Sequence, residues 1–461
     1  MTGARCCDGR HTPPVGSIAQ SAAGNGAAGA PPERGGHASG SPEPSAFDSC
    51  YAIAIGTDGD QHMKSENPSR AHCPVCGSAM VSDFYSRDSV PVTCASVFAD
   101  AVQARDVACG NVDLTACASC GFAFNRSFDP RLGELGARYE SSQAASPHFN
   151  TFAAATARSL VARHHLKNKT VLEVGCGDGD FLKHLMSADV GHAIGVDPLI
   201  DVARAEANMP HGVEIIPRLF DESMLDIQAD ALLCRHTLEH VPEVHEFLKL
   251  LREWAARAPD RVVLFDLPDA ERVFAERAFW DIYYEHCNYF TAGTLRRAFE
   301  FAGFRILALG SEFQGQYLTI EAAPDPAPGP RLPVDSSRDQ SLYRSFAADV
   351  RSSLQRCESA LARLKSASHP LIVWQGSSKT VGFLSALAHP ELIDGAVDVN
   401  PHRQGIFLPG SGLPVYAPHM LKDLKPEHVI LMNPAYQNEV AKTLTTLGLT
   451  SQLHVADELL R

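Results

Sequence analysis

No run of 18 apolar residues occurs in this chain of 461 residues, so no segment reads as a membrane-spanning helix. Positive charge is scarce as well. The formal net charge is −14, whereas a nucleic-acid surface needs a basic stripe. The first 70 residues lack the apolar core of a secretory signal. They run instead to Gly, Ala, Ser and Pro, as in Gly24 to Pro32. That composition buries too little apolar area to offset ordering entropy, so residues 1–70 are expected to be a disordered extension. With no signal peptide, the 13 cysteines point to a reducing, cytoplasmic setting, where thiols bind metal or are simply buried. What remains is long enough for more than one domain, with an ordinary hydrophobic content of 45%.

The most informative stretch is Glu173-Val174-Gly175-Cys176-Gly177-Asp178-Gly179. It follows the β-branched run Thr170-Val171-Leu172 and opens onto the helical pattern Phe181 to Met186. Strand, glycine turn and helix together lay a small-molecule cofactor across the end of a parallel sheet. The glycines let the backbone come close to a ligand and take up positive φ. The spacing is E-x-G-x-G-x-G, not the G-x-G-x-x-G that seats a pyrophosphate. Acids at Glu173, Asp178 and Asp180 ring the turn. They suit a cationic ligand, and S-adenosylmethionine carries a sulfonium and an ammonium. A second acid, Asp197, ends the next predicted strand, where it can accept both ribose hydroxyls of an adenosine.

Alternating strands and helices are predicted from here on, with strands near 170–174, 192–196, 213–216, 230–234 and 261–265. An antiparallel pair, 304–309 and 316–321, closes the sheet. An amphipathic helix from about Phe152 to His165 precedes it. The proline-dense run Pro324 to Pro333 reads as a semi-rigid linker. One long helix, Ser336 to Ala367, is predicted to follow. Strands near 371–374, 395–399 and 428–432 then make a second, smaller α/β unit. Upstream, Cys73-Pro74-Val75-Cys76-Gly77 and Cys117-Ala118-Ser119-Cys120-Gly121 are two C-x-x-C-G knuckles, whose four thiolates complete a structural tetrahedral zinc site.

Phe279 to Phe290 is the second informative stretch. It packs a histidine, a carboxylate and three tyrosines between the fifth strand and the helix at Thr294. A nearby carboxylate raises an imidazole pKa, so this pairing can supply a base near neutral pH. Neighbours in an extended segment point to opposite sides, so Glu285 and His286 need not touch.

Residues 150–323 resemble the class I S-adenosylmethionine-dependent methyltransferases. The four-cysteine unit, the Y-x-E-H segment and the C-terminal runs Asp398 to Gly405 and Leu408 to Val415 extend the resemblance. Together they are similar to the sugar C-methyltransferases, which methylate a carbon of a nucleotide-linked keto-deoxysugar. The resemblance implies an α/β architecture: a Rossmann-like, mostly parallel seven-stranded core, an N-terminal zinc subdomain and a C-terminal Rossmann-like domain. The implied divisions are 1–70, 71–150, 151–323 and 324–461. Implied catalytic residues are His286 as base, Glu285, Tyr283 and Tyr139. Cofactor residues are Glu173, Gly175, Gly177, Gly179, Asp197 and His236; zinc ligands are Cys73, Cys76, Cys117 and Cys120. The implied partner is a small-molecule substrate, with no nucleic acid and no membrane. Two departures are visible. Thr380 follows Lys379 where the family places a glycine, and Trp280-Asp281 with Cys287-Asn288 marks a branch whose sugar is open. O- or N-methylation of a non-sugar molecule is the alternative, as is a non-catalytic assembly protein that keeps the fold. His236-Thr237-Leu238-Glu239-His240 fits the zinc-peptidase pattern H-x-x-E-H, but His236 falls at a strand end rather than on a helix. Gly376 to Lys379 lacks the elements of a P-loop, and Lys379 holds either a phosphate or nothing more than its turn.

Overall fold

A computed structural model describes residues 70–132, 139–327 and 335–460. The predicted extension up to residue 69 and linker residues 328–334 lie outside the described residues. Among the described residues no helix is long and apolar enough to cross a membrane.

The chain begins with β1 (Val81–Pro91), α1 (Ala101–Arg105), β2 (Cys109–Cys117) and β3 (Ala123–Asn125). The central unit opens with α2 (Pro147–Arg163), earlier than the periodicity predicts. Ser146 caps it by accepting the Phe149 N–H at 3.2 Å, and Pro147 occupies the first turn, where its missing N–H costs nothing. Then follow β4 (Thr170–Val174), α3 (Asp180–Ser187), β5 (His192–Val196), α4 (Val202–Asn208), β6 (Val213–Ile216), β7 (Ala231–Arg235), α5 (Val244–Ala256) and β8 (Val262–Pro268). After these come α6 (Ala270–Glu276), β9 (Asn288–Tyr289), α7 (Ala292–Phe301), β10 (Phe304–Glu312) and β11 (Tyr317–Pro324). Seven of these strands form one sheet in the order β10-β11-β8-β7-β4-β5-β6. β4 to β8 are parallel, and the β10–β11 pair adds antiparallel to β8. β4 lies between β5 and β7, so the strand order reverses there and a crevice opens at its carboxyl end.

β9 does not join that sheet. It pairs with β3 and completes the four-stranded sheet β1-β2-β3-β9. The cysteine unit therefore borrows a strand from the segment that carries His286.

The C-terminal unit runs α8 (Ser337–Tyr343), α9 (Phe346–Leu364), β12 (Leu371–Trp374), α10 (Ser378–Leu384), β13 (Gly395–Val397) and β14 (Val415–Tyr416). It ends with α11 (Leu421–Leu424), β15 (His428–Leu431), α12 (Gln437–Thr446) and β16 (Gln452–Val455). Its sheet is wholly parallel, in the order β14-β13-β12-β15-β16. The single long helix predicted for Ser336 to Ala367 is in fact two, broken at Arg344–Ser345. Tertiary anchors explain the break. Gln340 donates to the Cys117 carbonyl at 2.9 Å and the Tyr343 hydroxyl to that of Gly121 at 2.8 Å, which ties α8 to the second cysteine knuckle. Phe346 on α9 turns into a ring cluster with Phe84, Tyr85 and Phe274. One apolar core runs through the N-terminal sheet, the 270–290 segment, α9 and the C-terminal sheet. The segment bearing His286 is thus packed from three sides.

Candidate active site

The crevice at the end of β4 is built from backbone first. Gly175, Gly177 and Gly179 have φ of 76°, 52° and 73°, a region other residues enter only under strain. A Cβ on Gly175 would lie 2.0 Å from Thr237 Oγ1, whereas one on Gly177 would meet nothing within 4 Å. The first glycine lets two loops touch. The second faces open space, where a ligand can approach the backbone. Asp197, just past β5, accepts the Gly177 and Leu199 N–H groups, each at 2.8 Å. Burial pushes its pKa up, and those two donors oppose the rise. A carboxylate has more acceptor sites than these two bonds use.

Glu173 is 2% exposed, and burial pushes its carboxyl up to about 8 against a partial pull from Arg235. Its Oε2, together with Asp266 Oδ1, His236 Nε2 and Glu239 Oε2, is buried without a hydrogen-bond partner among the described residues. Buried polar atoms of this kind are costly unless a ligand or water meets them, so the crevice suits a polar, cationic guest. The acids predicted to ring the turn are not equivalent. Asp178 pairs with Arg204 at 3.1 Å, and Asp180 with Lys183 at 2.8 Å. His236 caps β7 with φ 47°, and its ring stands edge-on to Tyr317 at 4.4 Å. Leu238–His240 is a single 3-10 turn, so the peptidase geometry is absent at this motif.

The Tyr283–His286 stretch is a turn rather than extended chain: the His286 N–H donates to the Tyr283 carbonyl at 3.2 Å. That closes the Tyr283 and His286 rings to 4.1 Å between centroids. Glu285 points the other way and accepts the Cys94 N–H at 3.0 Å. Glu285 and His286 thus form no hydrogen bond with each other, and the segment expected to be extended is a turn. Burial drives the His286 pKa well below its ordinary value, helped by His240, His236 and Lys379. Burial also raises the Tyr283 phenol well above its usual range. Tyr139 pairs with Ser96 in an isolated bridge, two residues beyond Cys94, on the same wall.

His240 escaped the sequence reading because it was weighed only as part of the peptidase decoy. Its Nδ1–H donates to the Glu285 carbonyl at 3.0 Å, and its ring stands edge-on to His286 at 4.8 Å. Because a carbonyl can only accept, Nδ1 carries the hydrogen of this bond. Lys379 is not free for a phosphate either. Its ammonium pairs with Asp281 of the segment that carries His286, and Asp281 also binds Arg272 at 2.6 Å.

The four knuckle cysteines converge. Cys73 and Cys120 Sγ are 3.6 Å apart, as are Cys76 and Cys117, and all four lie within 4.8 Å of one another. Four sulfurs each about 2.3 Å from a tetrahedral zinc would be spaced by roughly 3.8 Å. Gly77 and Gly121, at φ 73° and 77°, close the knuckles by donating to the Cys73 and Cys117 carbonyls at 2.9 Å.

Residues 148–309 match the family described as a methyltransferase domain, and residues 335–450 match the C-methyltransferase C-terminal domain. The chain is 24% identical over 404 residues to the C-methyltransferase NovU of Streptomyces niveus, covering 80% of this chain and 90% of that protein. Two solved structures overlap less. An S-adenosylmethionine-dependent methyltransferase from Aquifex aeolicus is 19% identical, with a TM-score of 0.31, over 39% of this chain and 94% of that one. Magnesium protoporphyrin IX methyltransferase from Synechocystis PCC 6803 is 18% identical, with a TM-score of 0.30, over 39% and 84%. Nothing below rests on those two.

Proposed function

We propose that this class I S-adenosylmethionine-dependent C-methyltransferase places its methyl group on a carbon next to a ketone, with His286 as the general base and a nucleotide-linked deoxysugar as acceptor. The observation that carries the reading is the placement of His286. It is buried, with its ring 4.1 Å from that of Tyr283 and 4.8 Å from that of His240, and burial pushes its pKa down so that the neutral form is favoured. A neutral imidazole in a site shielded from water is ready to accept a proton from carbon.

S-adenosylmethionine, bound along the glycine turn, supplies the electrophilic methyl of its sulfonium. Gly175, Gly177 and Gly179 give it backbone access, Asp197 takes the ribose hydroxyls, and Glu173 and His236 border the charged end. His286 removes the proton. Tyr283 stays protonated because burial raises its phenol, so it can donate a hydrogen bond to the oxygen on which charge builds. Glu285 positions the loop through Cys94 and, through its carbonyl, His240. Tyr139, bridged to Ser96, stands on the Cys94 side of the site. The rest of the work is alignment and exclusion of water.

The four cysteines hold a structural zinc in this reading, since four sulfur ligands leave no open coordination position. Elemental analysis of freshly purified, unchelated protein should find one zinc; none would remove the proposal.

The test of carbon chemistry is solvent exchange. With the demethylated cofactor product bound to block transfer, the wild type should wash deuterium into the carbon next to the ketone of a nucleotide-linked keto-sugar. His286→Asn should not. An O- or N-methyltransferase shows no exchange in either form.

A further inference from the structure

The polar stretch between the cysteine unit and α2 is a strap that joins the cofactor crevice to the C-terminal sheet. Glu140 is its junction and is only 3% exposed. Glu140 Oε1 accepts Asn400 Nδ2 at 3.0 Å, and its carbonyl accepts a guanidinium N–H of Arg403. On the other side, Glu140 Oε2 pairs with Arg204 at 2.8 Å, and Arg204 passes on to Asp178 in the glycine turn at 3.1 Å. Ser142 repeats the pattern. Its hydroxyl donates to Asp180 at 2.6 Å, and its carbonyl accepts Asn400 Nδ2 at 3.2 Å. Farther along, Glu439 on α12 accepts Ser146 Oγ at 2.8 Å and the His148 N–H at 3.0 Å.

The C-terminal end of this path is rigidly held. Asp398 accepts the Gly376 and Asn400 N–H groups, both at 2.8 Å, and Arg403 donates to the Gly376 carbonyl at 2.8 Å. Asn400 and Arg403 therefore have fixed positions from which to hold Glu140. A buried carboxylate that loses the donors on one side is left partly desolvated and unpaired. Arg204 would then lose its fixed partner, and with it the geometry it imposes on Asp178.

We propose that the C-terminal domain sets how long the cofactor is retained. Asn400 and Arg403 hold Glu140, and Glu140, as a positioning residue, holds Arg204 and Asp178 against the glycine turn. The inference rests on the methyltransferase activity and not on the role of His286.

The test uses the full-length protein and measures S-adenosylmethionine dissociation by stopped-flow displacement, with no methyl acceptor present. Asn400→Ala and Glu140→Gln should each speed dissociation about 10-fold, inside the 5–150-fold range typical of coupled sites. The double variant should be no faster than the faster single variant, because both cut one path. Asn400→Asp keeps the size but sets a second carboxylate against Glu140, and it should act in the same direction. Leu421→Ala, in the C-terminal core away from the strap, should lower the melting temperature and leave dissociation unchanged. Unchanged dissociation in folded Asn400→Ala and Asn400→Asp overturns the proposal. So do additive effects in the double variant, or equal acceleration by Leu421→Ala. Because no acceptor is present, none of these outcomes depends on the identity of the base, and a failed exchange experiment with His286→Asn would leave them standing.

Discussion

Gly177 and Gly376 occupy matching places in two separate parallel sheets. Each donates its N–H at 2.8 Å to an aspartate just past the neighbouring strand, Asp197 or Asp398. Each aspartate also accepts, at 2.8 Å, the N–H two residues further on, Leu199 or Asn400. The first residue after the strand bonds back to the neighbouring strand in both, Gly175 to Val196 and Gln375 to Val397, at 2.8 Å. The surroundings differ. A Cβ on Gly177 would meet open space, but one on Gly376 would lie 2.5 Å from Val415 Cγ1. The mouth of the second turn is filled by Arg403 and Asn400. A similar hydrogen-bond pattern therefore surrounds an open turn after one strand and an internal clamp after the other, because fold alone does not create a site. Among the described residues, four buried atoms without a hydrogen bond (on Glu173, His236, Glu239 and Asp266) gather on the open side, against one, Gln375 Oε1, at the second turn.

The largest test of that contrast is chemical. His286→Asn should slow turnover about 10²–10⁴-fold, the usual scale for loss of a general base, with cofactor affinity unchanged by calorimetry. Since burial holds His286 below its ordinary pKa, the wild-type rate should stay level as pH falls through 6.5 and drop only lower, where the folded imidazole protonates. A near-normal rate for the variant would make His286 a packing residue.

The two aspartates should separate next. Asp197→Ala should weaken S-adenosylmethionine binding by about 1.5–3 kcal/mol, the range for hydrogen bonds to a charged acceptor. Asp398→Ala should instead cost about 1–3 kcal/mol of stability by leaving the Gly376 and Asn400 N–H groups unpaired, read as a lowered denaturation midpoint. Releasing Asn400 in this variant should also speed cofactor dissociation through the strap, whereas a second mole of adenosine ligand bound per wild-type chain and lost from the variant would mean that the second turn is a site after all.

The glycines sharpen the same point. Gly376→Ala should destabilise by about 1–3 kcal/mol through overpacking against Val415. Gly177→Ala should cost roughly 1–2 kcal/mol for its left-handed backbone, and it should also reduce cofactor affinity. Equal cofactor loss in both would break the comparison.

The last effect is protonic. Glu173 folds with its pKa raised from 4.5 to about 8, so the native state holds a proton that the unfolded chain has released. Stability from this group is therefore full below pH 4.5 and declines as pH rises towards 8. A cationic ligand favours the ionised form, so cofactor binding at pH 7 should release up to about one proton. Calorimetry in two buffers of different ionisation heat reads this directly, and Glu173→Gln should abolish it.

The sequence by itself determined the parts that rest on local chemistry. Glycine spacing fixed the turn, the β-branched runs fixed the strands, and two C-x-x-C-G knuckles announced a four-sulfur cluster. The closing antiparallel pair was legible as two β-prone runs after the last predicted helix of the unit. Tertiary structure decided whatever depends on neighbours distant in the chain. It broke the helix between Tyr343 and Phe346, because each residue found its own buried partner. It sent Glu285 to Cys94 and away from His286, and it occupied Lys379 with Asp281. It gave β9 to the cysteine unit's sheet. Above all it made Glu140, in the short stretch between the cysteine unit and α2, the junction between the glycine turn and the C-terminal sheet. No periodicity marks such a residue. A lone carboxylate carries no local signal, and only the folded chain sets Asn400, Arg403 and Arg204 around it.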